Sequence, residues 1–342
     1  MPIPFNHFGV EEFCDSLSSL GISKYRADQI FSWVYSKGVR SYADMTNLPK
    51  SMREQLSSQY PIDTARIEAR QVSSDGSRKY LLECSDGNFV ETVGIPSDDG
   101  RLTICVSSQV GCSMGCRFCA TGRNGFSRNL YPGEIVEQVL IAQDDFSMRA
   151  SNIVVMGQGE PFANYENLLK ALRIFNHPKL LSIGARHIAV STCGVLNGIS
   201  KFSQEPEQFT LAISLHSAIQ DTRDYLIPAM KKSPLDALKE ALIGYTSKTG
   251  RRFTFEYALI SDINDSESDL EALIRYCNGL NCHINIITLN SVPGSDFSPS
   301  SKHTLQIWNE RLLQSGIPSS IRLSRGSDIS AACGQLSNEH GI

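Results

Sequence analysis

Nothing in the 342 residues approaches the roughly 18 consecutive apolar residues of a bilayer-spanning helix, and the segment MPIPFNHFGVEEF has no basic stretch leading into an apolar one. Neither a transmembrane span nor a secretory signal is expected, so the reading is of a cytoplasmic protein with no membrane partner. An excess of charge is missing too. The 32 Lys and Arg against 36 Asp and Glu leave a formal charge of -4, which excludes a uniformly basic nucleic-acid binder but permits a local basic surface. No low-complexity tract and no repeat at a fixed period occurs, which excludes solenoids and disordered arrays. What remains is globular material: 41% hydrophobic and 20% charged residues with a mean hydropathy of -0.17, in a chain long enough to bury a sizeable core.

The pattern along the chain divides it into three. Residues 1–62 read as a helical accessory domain, with VEEFCDSLSSL, SKYRADQIFSWVYSK and LPKSMREQLSSQY carrying apolar residues at helical spacing, among them Ile30, Phe31 and Val34. Residues 63–98 read as a β-hairpin linker, because RQVSS, RKYLLECS and FVETVGI are separated by the turn signals DGS and SDGN. From 99 to 342 strand and helix patterns alternate through LTICVS, NIVVMG, HIAVS, FTLAISLH, FTFEYALI, HINIITL and a final SSIRL. That alternation predicts an α/β fold with a parallel sheet returned by crossover helices. The stretch is shorter than the about 250 residues of a full eightfold barrel, so a partial barrel of six βα units fits better, with its functional face at the C-terminal ends of the strands.

Ten cysteines without an export signal point to metal ligation or catalysis rather than disulfides. Cys14, Cys84, Cys193, Cys277 and Cys282 are scattered and read as small buried hydrophobes. Cys112, Cys116 and Cys119 form C-x3-C-x2-C on the loop after the first barrel strand. Three thiolates on one loop suit a 4Fe-4S cluster with one iron left open. The alternatives are a zinc site, for which no second Cys or His pair follows at close range, and three unrelated buried cysteines. Between Arg101 and Arg128 there are four arginines and no acid, a basic field that favours thiolates and an anionic substrate.

With Phe118 before its last cysteine, this motif resembles that of the radical S-adenosylmethionine (SAM) superfamily. Cys105 in ICVSSQVGC, GFSRNL, MGQGEP and the closing DISAACGQL with Cys333 narrow the resemblance to the RNA adenosine methyltransferases of the RlmN and Cfr group, over nearly the whole chain. The resemblance implies a partial (β/α)6 barrel, a 4Fe-4S cluster on Cys112, Cys116 and Cys119, two SAM molecules per turnover and a reductant such as flavodoxin or ferredoxin. It implies as substrates 23S rRNA at the peptidyl-transferase centre and tRNA at the adenosine 3′ of the anticodon. Adenine C2 is electron-poor and has no nucleophilic lone pair, so a radical must make the bond. By the same resemblance Cys333 carries the methyl group, Cys105 resolves the protein–RNA adduct and Glu91 removes the ring proton. Adenosine C8 is the runner-up target; a different class of reading is an iron-sulfur redox carrier or sensor, which would have no use for Cys105, Cys333 or MGQGEP. Pro161, Phe126 and Arg128 favour the RlmN side.

The family match also assigns Gly159, Glu160, Ser191, Ser214, His216 and Asn290 to the SAM pocket, all after barrel strands. Gln158 stands where the family more often has Met, a change read as packing under the cofactor, and Cys193 is read as filler. RNA contacts are less legible. The accessory domain has six basic residues against six acids, and Lys231, Lys232, Arg251, Arg252, Arg322 and Arg325 are candidate phosphate contacts.

Overall fold

The computed structural model describes residues 3–62 and 65–337. Its N-terminal helices are α1 (Val10–Ser19), α2 (Lys24–Phe31) and α3 (Lys50–Gln59), with α2 continuing into a wider turn over Ser32–Ser36. Apolar residues three and four apart, Phe13 and Leu17 on α1 and Ala27, Ile30 and Phe31 on α2, face inward as the sequence pattern requires. Phe5 binds the helices together, its ring 4.8 Å from Phe13 and 5.6 Å from Phe31. Each such pair adds about 0.5–1.5 kcal/mol beyond burial.

Strands β1 (Arg66–Val72), β2 (Arg78–Glu83), β3 (Phe89–Pro96) and β4 (Leu102–Cys105) pair antiparallel in sequence. The hairpin segment is thus built into the main sheet and does not stand apart from it. After β4 come a short β5 (Gln109–Gly111), the cysteine loop, α4 (Ala120–Arg123), β6 (Phe126–Asn129) and α5 (Pro132–Phe146). Three βα units follow: β7 (Asn152–Val155) with α6 (Tyr165–Asn176), β8 (Ile188–Thr192) with α7 (Leu196–Phe202), and β9 (Thr210–Ser214) with α8 (Gln220–Leu226) and α9 (Leu235–Thr249). The chain ends through β10 (Phe253–Leu259), α10 (Glu267–Cys277), β11 (Cys282–Thr288), α11 (Lys302–Gln314) and β12 (Ser319–Arg322).

The main sheet has ten strands in the order β1-β2-β3-β4-β7-β8-β9-β10-β11-β12, and every pairing from β4 onward is parallel. Six helix-bearing units and a terminal β12 make the partial barrel, with β1 and β12 as free edges. The apolar runs of β9, β10 and β11 carry consecutive buried residues, whereas β7 and β8 alternate buried and half-buried positions. Phe253, Phe255, Ile284 and Ile286 have no exposed surface. The accessory helices join the same core. They dock on α5, where a Cβ on Gly133 would lie 2.5 Å from the Asn6 carbonyl oxygen, so only glycine allows this approach. An ion pair of 3.0 Å from Arg40 to Glu137 closes the contact, placing one of the accessory domain's six basic residues against the barrel. No helix among the described residues is long and apolar enough to cross a membrane.

Candidate active site

The cysteine loop is held at its neck by β5 and β6, a two-stranded hairpin whose strands the sequence pattern did not separate from loop. Gly111 makes the neck possible: its φ is +74°, and a Cβ there would lie 2.1 Å from the Gly125 carbonyl oxygen. The next amide, of Cys112, donates to that carbonyl at 2.7 Å. Cys112, Cys116 and Cys119 all line one pocket at the C-terminal ends of the barrel strands. Burial pushes the thiol of Cys112 up to about 11 and that of Cys116 higher still.

The opposite walls come from the strand ends. Gly157 and Gly159 bring backbone against Val106 and Gln109, where a Cβ would meet atoms at 2.8 and 2.6 Å respectively. Glu160 is buried in the pocket wall, one carboxylate oxygen accepting from the Phe162 amide at 3.0 Å and the other from the Cys193 amide at 2.8 Å. Burial raises its pKa, and the backbone donors oppose that rise. Pro161 starts the short turn that these bonds cap. Ser191 and Ser214 face each other at 3.3 Å between hydroxyls. His216 sits in the left-handed region, with φ +56°, and its Nδ1 accepts from the Ala258 amide at 3.0 Å. A backbone N–H can only donate, so the neutral ring carries its proton on Nε2. Burial, with Arg223 second, lowers its pKa to about 3, so the ring stays neutral.

The segment after β12 closes the pocket. The amide of Ala120 donates to the Gly334 carbonyl at 2.7 Å, and Asn290 Nδ2 donates to the Cys333 carbonyl at 3.1 Å. Cys333 therefore lines the pocket beside the three loop cysteines. Part of its surface is exposed, but the thiol is flanked by protein, and desolvation raises its pKa ahead of the nearby Glu256. Cys105, at the end of β4, is buried and packs against Ala331 and Leu336 of the same segment. Burial raises its thiol, with the charge of Cys333 a second cause.

The family-model match at residues 106–277 is to the radical SAM superfamily, and that at residues 5–62 is to the ribosomal RNA large subunit methyltransferase N-terminal domain. A probable dual-specificity RNA methyltransferase RlmN of Geobacillus kaustophilus is 46% identical over 96% of this chain and 90% of its own length. One of the same description from Clostridium novyi is 42% identical over 96% of both chains. The chain belongs to the RlmN family. The crystal structure of a radical SAM methyltransferase from Sphaerobacter thermophilus superposes with a TM-score of 0.94 at 41% identity, over 99% of this chain and all of that one.

Membership of the RlmN family implies a 4Fe-4S cluster and SAM, and the residues present fit both. The loop offers three thiols and no competing carboxylate, and Glu160, Ser191, Ser214, His216 and Asn290 line the same pocket. Among the described residues no three His, Cys, Asp or Glu side chains gather closely enough for a single ion. A cube is wider than an ion, so its ligands stand further apart.

Several expectations change with the geometry. Glu91, to which the resemblance gives the ring proton, is buried, 3.0 Å from Lys79 Nζ, and accepts from the Ser337 amide at 2.6 Å, outside the pocket lining. Gln158 does not pack under a cofactor; its Oε1 accepts from the Glu91 amide at 3.1 Å. Arg251 donates to the carbonyls of Glu207 and Phe209 at 2.9 and 3.0 Å, which occupies it within the barrel. The basic field of the cysteine loop is halved by acids beyond its ends, Arg101 pairing with Asp99 at 2.6 Å and Arg128 with Glu134 at 2.7 Å, while Arg117 and Arg123 keep their charge. Arg223, Lys79 and Asp328 were passed over. Only Arg223 left a signal, a cation within the helical stretch QDTRDYL.

Proposed function

We propose that this RlmN-family enzyme methylates adenosine at C2 in 23S rRNA and in tRNA, through a methyl group carried on Cys333. The observation that supports the reading best is the shared pocket: Cys333 lines it with Cys112, Cys116 and Cys119, while Cys105 packs against Ala331 and Leu336 of the segment that carries Cys333. When bound, the cluster and SAM supply one-electron cleavage of SAM to a 5′-deoxyadenosyl radical.

The chain's own groups do the rest. Glu160, Ser191, Ser214 and Asn290 give SAM a carboxylate, two hydroxyls and an amide, and His216 offers its Nε2–H from a neutral ring. The Cys333 sulfur takes a methyl group from one SAM. Loss of one hydrogen atom from that methyl leaves a methylene radical on sulfur, which bonds to adenine C2. The adduct radical gives one electron to a one-electron acceptor, the oxidised flavodoxin- or ferredoxin-like partner, and Glu91 takes the C2 proton once Ser337 has moved off its carboxylate. The Cys105 thiolate then attacks the Cys333 sulfur, the sulfur–methylene bond breaks, and its electron pair accepts a proton to complete the methyl group. A Cys105–Cys333 disulfide remains, and two electrons from a thiol reductant reset it. Cytoplasmic RNA and a flavodoxin- or ferredoxin-like donor complete the reading.

The test is digestion of RNA after reaction with cluster-loaded protein, SAM and reductant, followed by mass spectrometry against standards. The expected product is 2-methyladenosine. Exclusive 8-methyladenosine would overturn the regiochemistry, and unmodified RNA with SAM cleaved would overturn the choice of substrate.

A further inference from the structure

Arg223 is the one arginine among the described residues with no exposed surface. It lies on α8, its Nη2 donates to the Cys193 carbonyl, and its Nε and Nη1 have no hydrogen-bond partner. No carboxylate is within ion-pair reach of it among the described residues. Asp224, the adjacent acid, is engaged by Gln220 at 2.7 Å. A buried guanidinium left like this is strongly destabilising unless something nearby carries the opposite charge.

The groups around it say what that is. The anionic forms it would interact with most strongly are those of Cys193, Tyr276 and Cys116. Tyr276 is occupied, donating to the Leu235 carbonyl at 2.8 Å, and burial holds its hydroxyl protonated. Cys193 is no loop ligand, and its own burial holds its thiol protonated. That leaves Cys116. The helix carrying Arg223 also supports the loop directly: the Arg117 amide donates to the Leu226 carbonyl at 3.0 Å, and Leu226 and Ile227 pack with Met114, Cys116 and Phe118.

We propose that Arg223 is the buried counter-charge of the iron-sulfur cluster, a positioning residue that raises the cluster's reduction potential from behind Cys116. The inference rests on the cluster reading above. A four-iron cube with three thiolates carries one net negative charge when oxidised and two when reduced, so a fixed cation stabilises the reduced form more. For unit charges about 10 Å apart at an effective dielectric of about 20, the bias is on the order of tenfold. The other arginines near the loop do not supply this charge in the same way, since Arg117 and Arg123 are exposed to solvent and Arg101 and Arg128 are paired with acids. An arginine about a hundred residues later in the chain does.

The experiment uses the full chain, loaded anaerobically with iron and sulfide, in a potentiometric titration followed by electron paramagnetic resonance, without SAM or RNA. Arg223→Gln removes the charge, and Arg223→Lys keeps it without the fork. For Arg223→Gln the reduced-to-oxidised ratio at a fixed potential falls about tenfold, a midpoint about 59 mV lower. Arg223→Lys stays within about twofold of the unsubstituted protein. An Arg223→Gln protein that loads fully and titrates unchanged would overturn the inference. Should Arg223→Gln take up no iron, Arg223→Lys decides: loading with a near-normal midpoint supports the charge, and failure to load shows that packing alone matters and overturns it. If the unsubstituted protein gives no four-iron signal, the cluster reading falls and this inference with it; a normal signal indifferent to Arg223→Gln overturns this inference alone.

Discussion

Glu160→Gln changes one atom of a buried side chain, and the geometry gives its consequences. Both carboxylate oxygens of Glu160 accept from backbone amides, of Phe162 and of Cys193. An amide side chain has one accepting oxygen, so its NH2 must point at one of those N–H groups. Leaving a buried donor unsatisfied costs about 1–3 kcal/mol, a fall of several degrees in melting temperature. The lost charge also removes the partner of the SAM ammonium, a charge-assisted bond of about 1.5–3 kcal/mol, so SAM affinity should fall about 10- to 100-fold. Equilibrium dialysis of labelled SAM against cluster-loaded protein measures this, with iron content as the control. The pH dependence runs in two directions. Because burial raises the folded pKa of Glu160 above its ordinary value of 4.5, stability falls as pH rises from there through the folded value. SAM binding needs the ionised form and therefore strengthens over the same rise. Both trends vanish in Glu160→Gln. A variant that binds SAM within about twofold of normal and melts unchanged would refute the assignment of Glu160 to the SAM site.

Cys105→Ala should stop after radical addition, so that the protein purifies covalently attached to RNA, as seen on denaturing gels before and after ribonuclease. Cys333→Ala should bind SAM and iron normally, carry no methylated cysteine by peptide mass spectrometry and leave RNA untouched. Asp328 accepts from the Ser73 hydroxyl at 2.6 Å and the Ser74 amide at 3.0 Å, tying the Cys333 segment to the β1–β2 turn. Asp328→Ala should speed proteolysis of that segment and slow methylation several-fold while leaving iron content unchanged; unchanged proteolysis would show that the tie is dispensable.

The parallel sheet was legible because each strand is a continuous apolar run followed by a helical period, and β4 and β7 to β12 fall where those runs lie. The loop cysteines were legible because their ligand spacing is local. Burial of polar groups was not, since it depends on partners distant in sequence. The burial of Glu91 has no local signal, since it comes with Ser337, 246 positions later, resting on its carboxylate. Arg223 looks like an ordinary helix cation until three elements close over it. Charge counted in a window misled for the same reason: Asp86, Asp99 and Glu134 lie outside the stretch whose charge they halve. The β1–β3 strands were recognised as strands, but their continuation of the barrel sheet through β3 and β4 is a matter of pairing, which turn signals do not encode.

The central claim is that the methyl carbon passes through Cys333 and loses one hydrogen there before reaching adenine. SAM bearing a trideuterated methyl group tests it directly, in protein whose cysteines begin unmethylated, with mass spectrometry of the digested RNA and of the 5′-deoxyadenosine formed. The account predicts 2-methyladenosine carrying two deuterium atoms, with the third recovered in 5′-deoxyadenosine. A product that keeps all three deuterium atoms would mean direct methyl transfer, and it would contradict the roles assigned to Cys333 and Cys105 together.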